Sequence, residues 1–150
     1  MLEDVFVEVY DKFKLQFYKK IFEAVRERDG SLSAMEAFSL EVINMLGEPT
    51  ISRFAEFLGI SQSNATYKVN SLIDKGYIEK RNSERDRREY HIVLTEKFRN
   101  YIALMSGYEK TVMARVKERF SEAEVEEFSK MLKIISSELM PEGDVQTPLS

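Results

Sequence analysis

The chain has 150 residues, 43% hydrophobic and 32% charged, with a net charge of −4 and no cysteine. That length suits a single domain or one subunit of an obligate oligomer, and the missing cysteines exclude a disulfide scaffold, a thiolate zinc site and a thiol redox sensor. No run of about 18 apolar residues exists to span a bilayer. The first residues carry acids (Glu3, Asp4) rather than a basic segment ahead of an apolar core, so no signal peptide is expected and a cytoplasmic location is the default.

The first helix is expected from residue 2 to about 27. Phe6, Tyr10, Phe13, Phe17, Ile21 and Ala24 recur at three- and four-residue steps along one face, and Gly30 is the expected stop. A second helix should start at Ser33, because Ser33 and Glu36 have the spacing of a capping box. Its apolar set is Phe38, Val42, Met45 and Leu46, and Gly47 and Pro49 close it. Thr50 can cap a third helix whose Phe54, Ala55 and Leu58 face inward. Gly59 then suits a tight turn, since glycine enters left-handed φ without a Cβ penalty. Ser61 caps a fourth helix with Ala65, Val69 and Leu72 as its buried stripe, stopping at Gly76.

Residues 77–81 read as a short strand. Residues 90–94 alternate, with Tyr90, Ile92 and Leu94 on one face and His91 and Val93 on the other. The polar stretch between them is a hairpin loop. Thr95 caps a long helix with the stripe Phe98, Tyr101, Met105, Tyr108, Val112 and Val116. Ser121 and Glu124 form another capping-box pair, opening a last helix with Val125, Phe128, Leu132 and Ile135 inward. Pro141 ends it, and residues 140–150 read as a disordered tail.

Helix, tight turn, helix and charged hairpin, in that order, describe a winged helix-turn-helix, a module that lays one helix in a DNA major groove with a β-wing alongside. The fold class expected is therefore mainly α (α+β), about six helices with a small hairpin wing. Charge supports the same reading. Residues 61–100 carry nine cations and six anions, a net +3, which leaves −7 on the remainder. A DNA-reading face is set by such a distribution rather than by the total.

The outer face of the fourth helix carries Gln62, Ser63, Asn64, Thr66, Tyr67, Lys68 and Asn70. Amides can pair with adenine, threonine can touch a thymine methyl, and lysine can reach guanine or phosphate. The N-terminal residues Ser63, Asn64, Thr66 and Tyr67 are the leading contacts, and the backbone N–H groups at the helix start can hold a phosphate. On the hairpin tip, Arg85, Arg87 and Arg88 suit the narrow, negative minor groove. Asp86 among them is expected to pair with an arginine and hold the shape of the loop. His91 stands alone, and no ligand set with metal spacing surrounds it. Neither a nucleophile motif, an acid–base pair nor a phosphate loop is present, so no enzymatic activity and no cofactor are expected. The alternative to a DNA reader is a winged-helix module for protein–protein interaction, which would more naturally expose apolar residues on the wing.

Four stretches carry a family resemblance: Leu58–Ser61, Leu72–Lys80, Asp86–Arg88, and Leu94–Thr95 six residues after the arginine. Together they resemble the MarR (multiple antibiotic resistance regulator) family, over nearly the whole chain to about Leu139. The resemblance implies one domain, residues 1–139, with a winged helix-turn-helix at 33–95 and a helical dimerisation region made of 2–29 and 96–139. It implies a homodimeric, sequence-specific regulator, most often a repressor of a pseudo-palindromic double-stranded operator, with no membrane partner. Arg88 takes the wing arginine's role, Asp86 its partner's, and the helix at 62–70 the major-groove role. It also implies relief by a small aromatic or amphipathic effector between the dimer base and the DNA-binding lobe, for which Phe13, Phe17, Phe38 and Tyr101 are the candidate lining, although aromatics at helical spacing are more often core. The pattern departs at Phe98, where a glycine is common, so the start of the long helix should pack differently. Tyr67 and Lys68 stand where an arginine and an aliphatic residue are frequent, so the operator should differ from those of relatives.

Overall fold

The computed structural model describes residues 1–26 and 32–143. In chain order it contains α1 (Leu2–Arg26), α2 (Ala34–Leu46), α3 (Ile51–Leu58), α4 (Gln62–Asp74), β1 (Ile78–Asn82), β2 (Tyr90–Leu94), α5 (Glu96–Met105), α6 (Gly107–Arg119) and α7 (Glu122–Ile134), with α7 running into a π-helical turn, Ile135–Leu139. This is a winged helix-turn-helix carried on additional helices. The stop expected at Gly30 and the tail from 144 onward lie outside the described residues.

The helix starts follow the side chains that can satisfy their orphan N–H groups. Ser33 Oγ accepts from Glu36 N at 3.1 Å while Glu36 Oε1 accepts from Ser33 N at 2.9 Å. Ser121 and Glu124 repeat that box at α7. Thr50, Ser61 and Thr95 each accept from the N–H three residues on. Between α3 and α4, Gly59 takes φ +66 and Ile60 N donates back to Ala55 O, which turns the chain in three residues.

The wing is one antiparallel pair, with Ile78 opposite Leu94 and Asn82 opposite Tyr90, so β1 is shifted one residue from the expected 77–81. Its root is tied down twice. The Thr95 hydroxyl lies 2.7 Å from Gly76 O and 2.8 Å from Tyr77 O, and Ile92 N donates to Pro49 O at 2.9 Å beside a single bridge between Thr50 and His91. These bonds join the root of the wing to the residues that lead into α3. The core beneath is fully buried Leu40 and Ile43 from α2, Phe54 from α3, Val69 and Leu72 from α4, Ile78 and Ile92 from the hairpin, and Phe98 from α5. Phe98 plugs this core at the first turn of α5, which is how the chain uses the position where a glycine is common.

Three sequence expectations change. The long helix after Thr95 is broken at Ser106, giving seven α-helices among the described residues rather than about six. The Ser106 hydroxyl donates to Ile102 O at 3.0 Å and Gly107 follows, a back-bonding serine next to a poor helix former, which is a recognised cause of a kink. In α2 the buried stripe is Ala37, Leu40, Glu41 and Ile43, whereas Phe38 and Met45 face out. That helix is apolar nearly all round, so periodicity could not choose the face. Finally, Phe128, Leu132 and Ile135 of the last helix are not inward: each is more than 40% exposed, as are Phe6 and Tyr10 of α1. These faces are apolar, but among the described residues nothing covers them. Helix α7 and its π turn end at Leu139, before Pro141, as expected.

Candidate nucleic-acid interface

Helix α4 buries Ala65, Val69 and Leu72 and presents the opposite side to solvent. Gln62, Ser63, Asn64, Tyr67 and Asn70 are exposed, Tyr67 at 77%, with Thr66 and Lys68 half-buried. Several of these side chains are already oriented. Ser52 Oγ donates to Gln62 Oε1 at 3.3 Å, leaving the amide NH2 outward. Thr66 Oγ1 donates to Gln62 O at 2.9 Å, which commits its hydroxyl proton to the helix. Ser61 and Ser63 share a hydroxyl contact of 3.2 Å at the helix start.

The hairpin tip is shaped by backbone bonds. Ser83 N donates to Glu89 O at 2.9 Å, and Glu89 N donates to Asp86 O at 3.0 Å. Asp86 holds the loop, but not by the arginine pairing expected. Its Oδ1 accepts from the Arg88 backbone N–H at 2.9 Å, and among the described residues no guanidinium lies within ion-pair distance of it. A short carboxylate is better placed to close a local turn onto an N–H two residues on than to reach a long, solvated arginine. Arg85, Arg87 and Arg88 are thereby left with exposed guanidinium groups.

Helix and wing meet across a groove of about 230 Å³ whose walls include Thr50, Ser52, Gln62, Thr66, Lys80, Arg88 and Tyr90. The groove brings Arg88 alongside the first turns of α4, and adds Ser52, Lys80 and Tyr90, which the sequence reading missed. Alternation in β1 gave a signal for Lys80, which faces the side away from Glu79. No local pattern marks Ser52. Two cations beside two helix N-termini suit a phosphate backbone.

The orientation of α4 is fixed from its far end. Lys75 Nζ lies 2.7 Å from Glu36 Oε1, and Ser71 Oγ donates to Glu36 Oε2 at 3.0 Å. Burial alone would raise the Glu36 pKa, but the ammonium, with the Ser33 and Ser71 donors, outweighs it and holds the carboxyl at about 2.

The aromatic residues proposed to line an effector pocket separate. Phe13, Phe17 and Phe38 meet at a shallow groove between α1 and α2, with Tyr10, Tyr18 and Glu109. Phe17 and Phe38 have ring centroids 6.4 Å apart. Tyr101 is not among them. It is 8% exposed in the core, edge-on to Tyr77 at 6.0 Å. The four-residue steps that put it on the stripe of α5 make it core. Among the described residues no group of three or more acidic, histidine or cysteine side chains could hold a metal, and no helix is long and apolar enough to cross a membrane.

Comparison with known proteins agrees with this geometry. A sequence model of the MarR family matches residues 31–89, the second helix through the wing tip. The uncharacterized HTH-type transcriptional regulator YpoP of Bacillus subtilis is 30% identical over 83 residues, which cover 52% of this chain and 59% of that protein. The matched segment thus spans under two thirds of that relative's length. Among solved structures, FabT of Streptococcus pneumoniae in complex with DNA is 25% identical, with a TM-score of 0.60 over 93% of this chain and 97% of that one. A MarR family protein from Bacillus stearothermophilus shares the fold at 18% identity, with a TM-score of 0.65 over 93% of each chain.

Proposed function

We propose that this chain is a sequence-specific DNA-binding transcriptional regulator, working as a homodimeric repressor of a pseudo-palindromic operator and relieved by a small-molecule effector. The observation that carries the reading is the groove shared by α4 and the wing, where exposed hydrogen-bonding side chains of one helix and the guanidinium of Arg88 face the same side. Gln62, Ser63, Asn64, Thr66, Tyr67, Lys68 and Asn70 then enter the major groove, and Arg85, Arg87 and Arg88 reach the adjacent backbone or minor groove, with Asp86 shaping the tip. The similarity to FabT, whose structure contains DNA, supports that partner. A protein-docking wing would expose apolar side chains, whereas this tip is polar throughout.

The dimer is argued from what the chain leaves uncovered. Val5 and Val9 of α1 and Phe128 and Met131 of α7 line an apolar groove of about 620 Å³, and Leu132, Ile135 and Leu139 extend the exposed strip. A monomer gains nothing from such a surface, and an isologous contact would cover it while placing two recognition helices about one turn of DNA apart. Residues 33–95 are then the reading module, with 2–29 and 96–139 the dimerisation region. An effector that prefers one spacing of the two modules suffices to shift DNA affinity. The groove of Phe13, Phe17 and Phe38, between α1 and the winged module, is the candidate effector site.

Selection of binding sites from a random duplex pool, at roughly physiological salt, tests the reading. Recovery of a two-fold symmetric motif supports it. Enrichment of nothing, with binding that vanishes as salt rises, overturns sequence-specific regulation by this chain.

A further inference from the structure

Ser39 of α2, Thr66 of α4 and Thr111 of α6 each donate their hydroxyl proton to the carbonyl four residues back, at 2.7, 2.9 and 3.0 Å. Ser52 breaks that pattern. It is the second residue of α3, so the residue four back is Glu48, which lies outside the helix. The carbonyls of Glu48 and Pro49 are turned to the wing instead. Ile92 N donates to Pro49 O at 2.9 Å, and His91 Nδ1 lies 3.4 Å from Glu48 O. The Ser52 hydroxyl reaches across the turn and donates to Gln62 Oε1 at 3.3 Å.

The two helices joined by this contact are fixed relative to one another. Phe54 and Ala55 of α3 and Ala65 and Val69 of α4 are buried in the same core. Gly59 N and Ile60 N both donate back into α3, at 3.2 and 3.1 Å. The main chain of Gln62 is held as well, since its carbonyl accepts from Thr66 Oγ1. Gln62 is the first residue of α4, in the N-terminal turn from which recognition helices contact base edges.

A glutamine amide has one acceptor oxygen and two N–H donors. Free to turn, it pairs bidentately with adenine, accepting from N6 and donating to N7. That pairing needs its oxygen and nitrogen side by side on the base edge. With the oxygen held by Ser52, the amide offers N–H groups alone. Guanine answers with two acceptors, O6 and N7. Adenine sets a donor beside its N7, cytosine presents a donor, and thymine has a single acceptor beside its methyl.

We propose that Ser52 is a positioning residue for operator specificity, which holds Gln62 as a donor-only reader of guanine. Each half-site then carries guanine at the position that Gln62 meets, where an unrestrained glutamine takes adenine. The assignment rests on the reading of α4 as the helix that enters the major groove, and gives one of its residues a base. Ser52 acts through Gln62 rather than on the base.

The test selects binding sites from a random duplex pool with the full chain as wild type, Gln62→Ala, Ser52→Ala and Ser52→Thr. Gln62→Ala identifies the position, as the symmetric pair whose base preference is lost. Wild type should show guanine there, favoured about tenfold over adenine when duplexes differing only at that pair compete. Ser52→Ala should bring the two bases to about equal affinity and leave the rest of the motif unchanged. Ser52→Thr keeps a hydroxyl and should retain guanine. A merely structural role for Ser52 would weaken all sequences alike. Circular dichroism confirms that each variant is folded. Adenine at that position in wild type, a Ser52→Ala motif identical to wild type, or a Gln62→Ala variant that binds more weakly with the motif unchanged would each overturn the proposal, the last by making Gln62 a phosphate contact. A wild type that selects no two-fold motif is a separate result, which overturns the regulator reading and this proposal with it.

Discussion

The ammonium of Lys75 and the carboxylate of Glu36 stand 2.7 Å apart, and through them the C-terminal end of α4 is fastened to the first turn of α2. Glu36 also completes the capping box of its own helix. One side chain therefore starts α2 and sets where α4 ends. Glu36→Gln should keep the fold, lower its stability by about 1–3 kcal/mol, and weaken operator binding through misplacement of α4. Denaturant unfolding beside a DNA-binding isotherm checks both.

The same carboxylate gives a pH signature. Its folded pKa of about 2 lies below the ordinary 4.5. The stabilisation is therefore full above about 4.5 and is lost as pH falls toward 2. Thermal melts of wild type and Glu36→Gln should differ at pH 6 and converge near pH 2.

Glu41 has the opposite sign. Its folded pKa of about 7 lies above 4.5, so wild-type stability should fall as pH rises from 4.5 to 7, then level off. Glu41→Gln cannot ionise. It should remove that slope and match or exceed wild type at pH 8, as read by melting temperature against pH.

Arg88 stands on the wing beside the first turns of α4. Arg88→Ala should weaken DNA binding and reduce the slope of log affinity against log salt by about 1. An unchanged slope would remove the phosphate-neutralising role from this residue. Asp86→Ala should also weaken binding, by freeing the Arg88 backbone N–H and loosening the tip, but with the salt slope intact.

Leu132 and Phe128 are exposed apolar residues on α7. Replacing both with glutamate should leave the winged module folded and shift the protein to monomer in sedimentation equilibrium. Loss of operator affinity should accompany the shift, because a monomer reads one half-site. A wild-type protein that sediments as a monomer would refute the dimer.

Gly59→Ala isolates a backbone effect. A Cβ there meets nothing within 4 Å, but φ is +66. The cost is the left-handed strain alone, about 1 kcal/mol, and melting should show it without loss of DNA binding.

What the sequence determined by itself was local. Ser33, Thr50, Ser61, Thr95 and Ser121 announced their helices because a capping hydroxyl acts on an N–H three residues away, and Gly59 announced its turn because φ is a property of one residue. The polar face of α4 and the arginines of the wing were legible for the same reason. Only the tertiary structure decided which face of α2 is core, since Phe38 and Leu40 are equally apolar and their burial depends on what packs against them. It decided that Tyr101 is core while Phe38 opens to a groove, and that Glu36 reaches Lys75 across 39 positions. It also left Glu41 Oε1 buried with no hydrogen-bond partner among the described residues. These are properties of contacts between elements distant in the chain, where the free energy depends on geometry that no local pattern encodes.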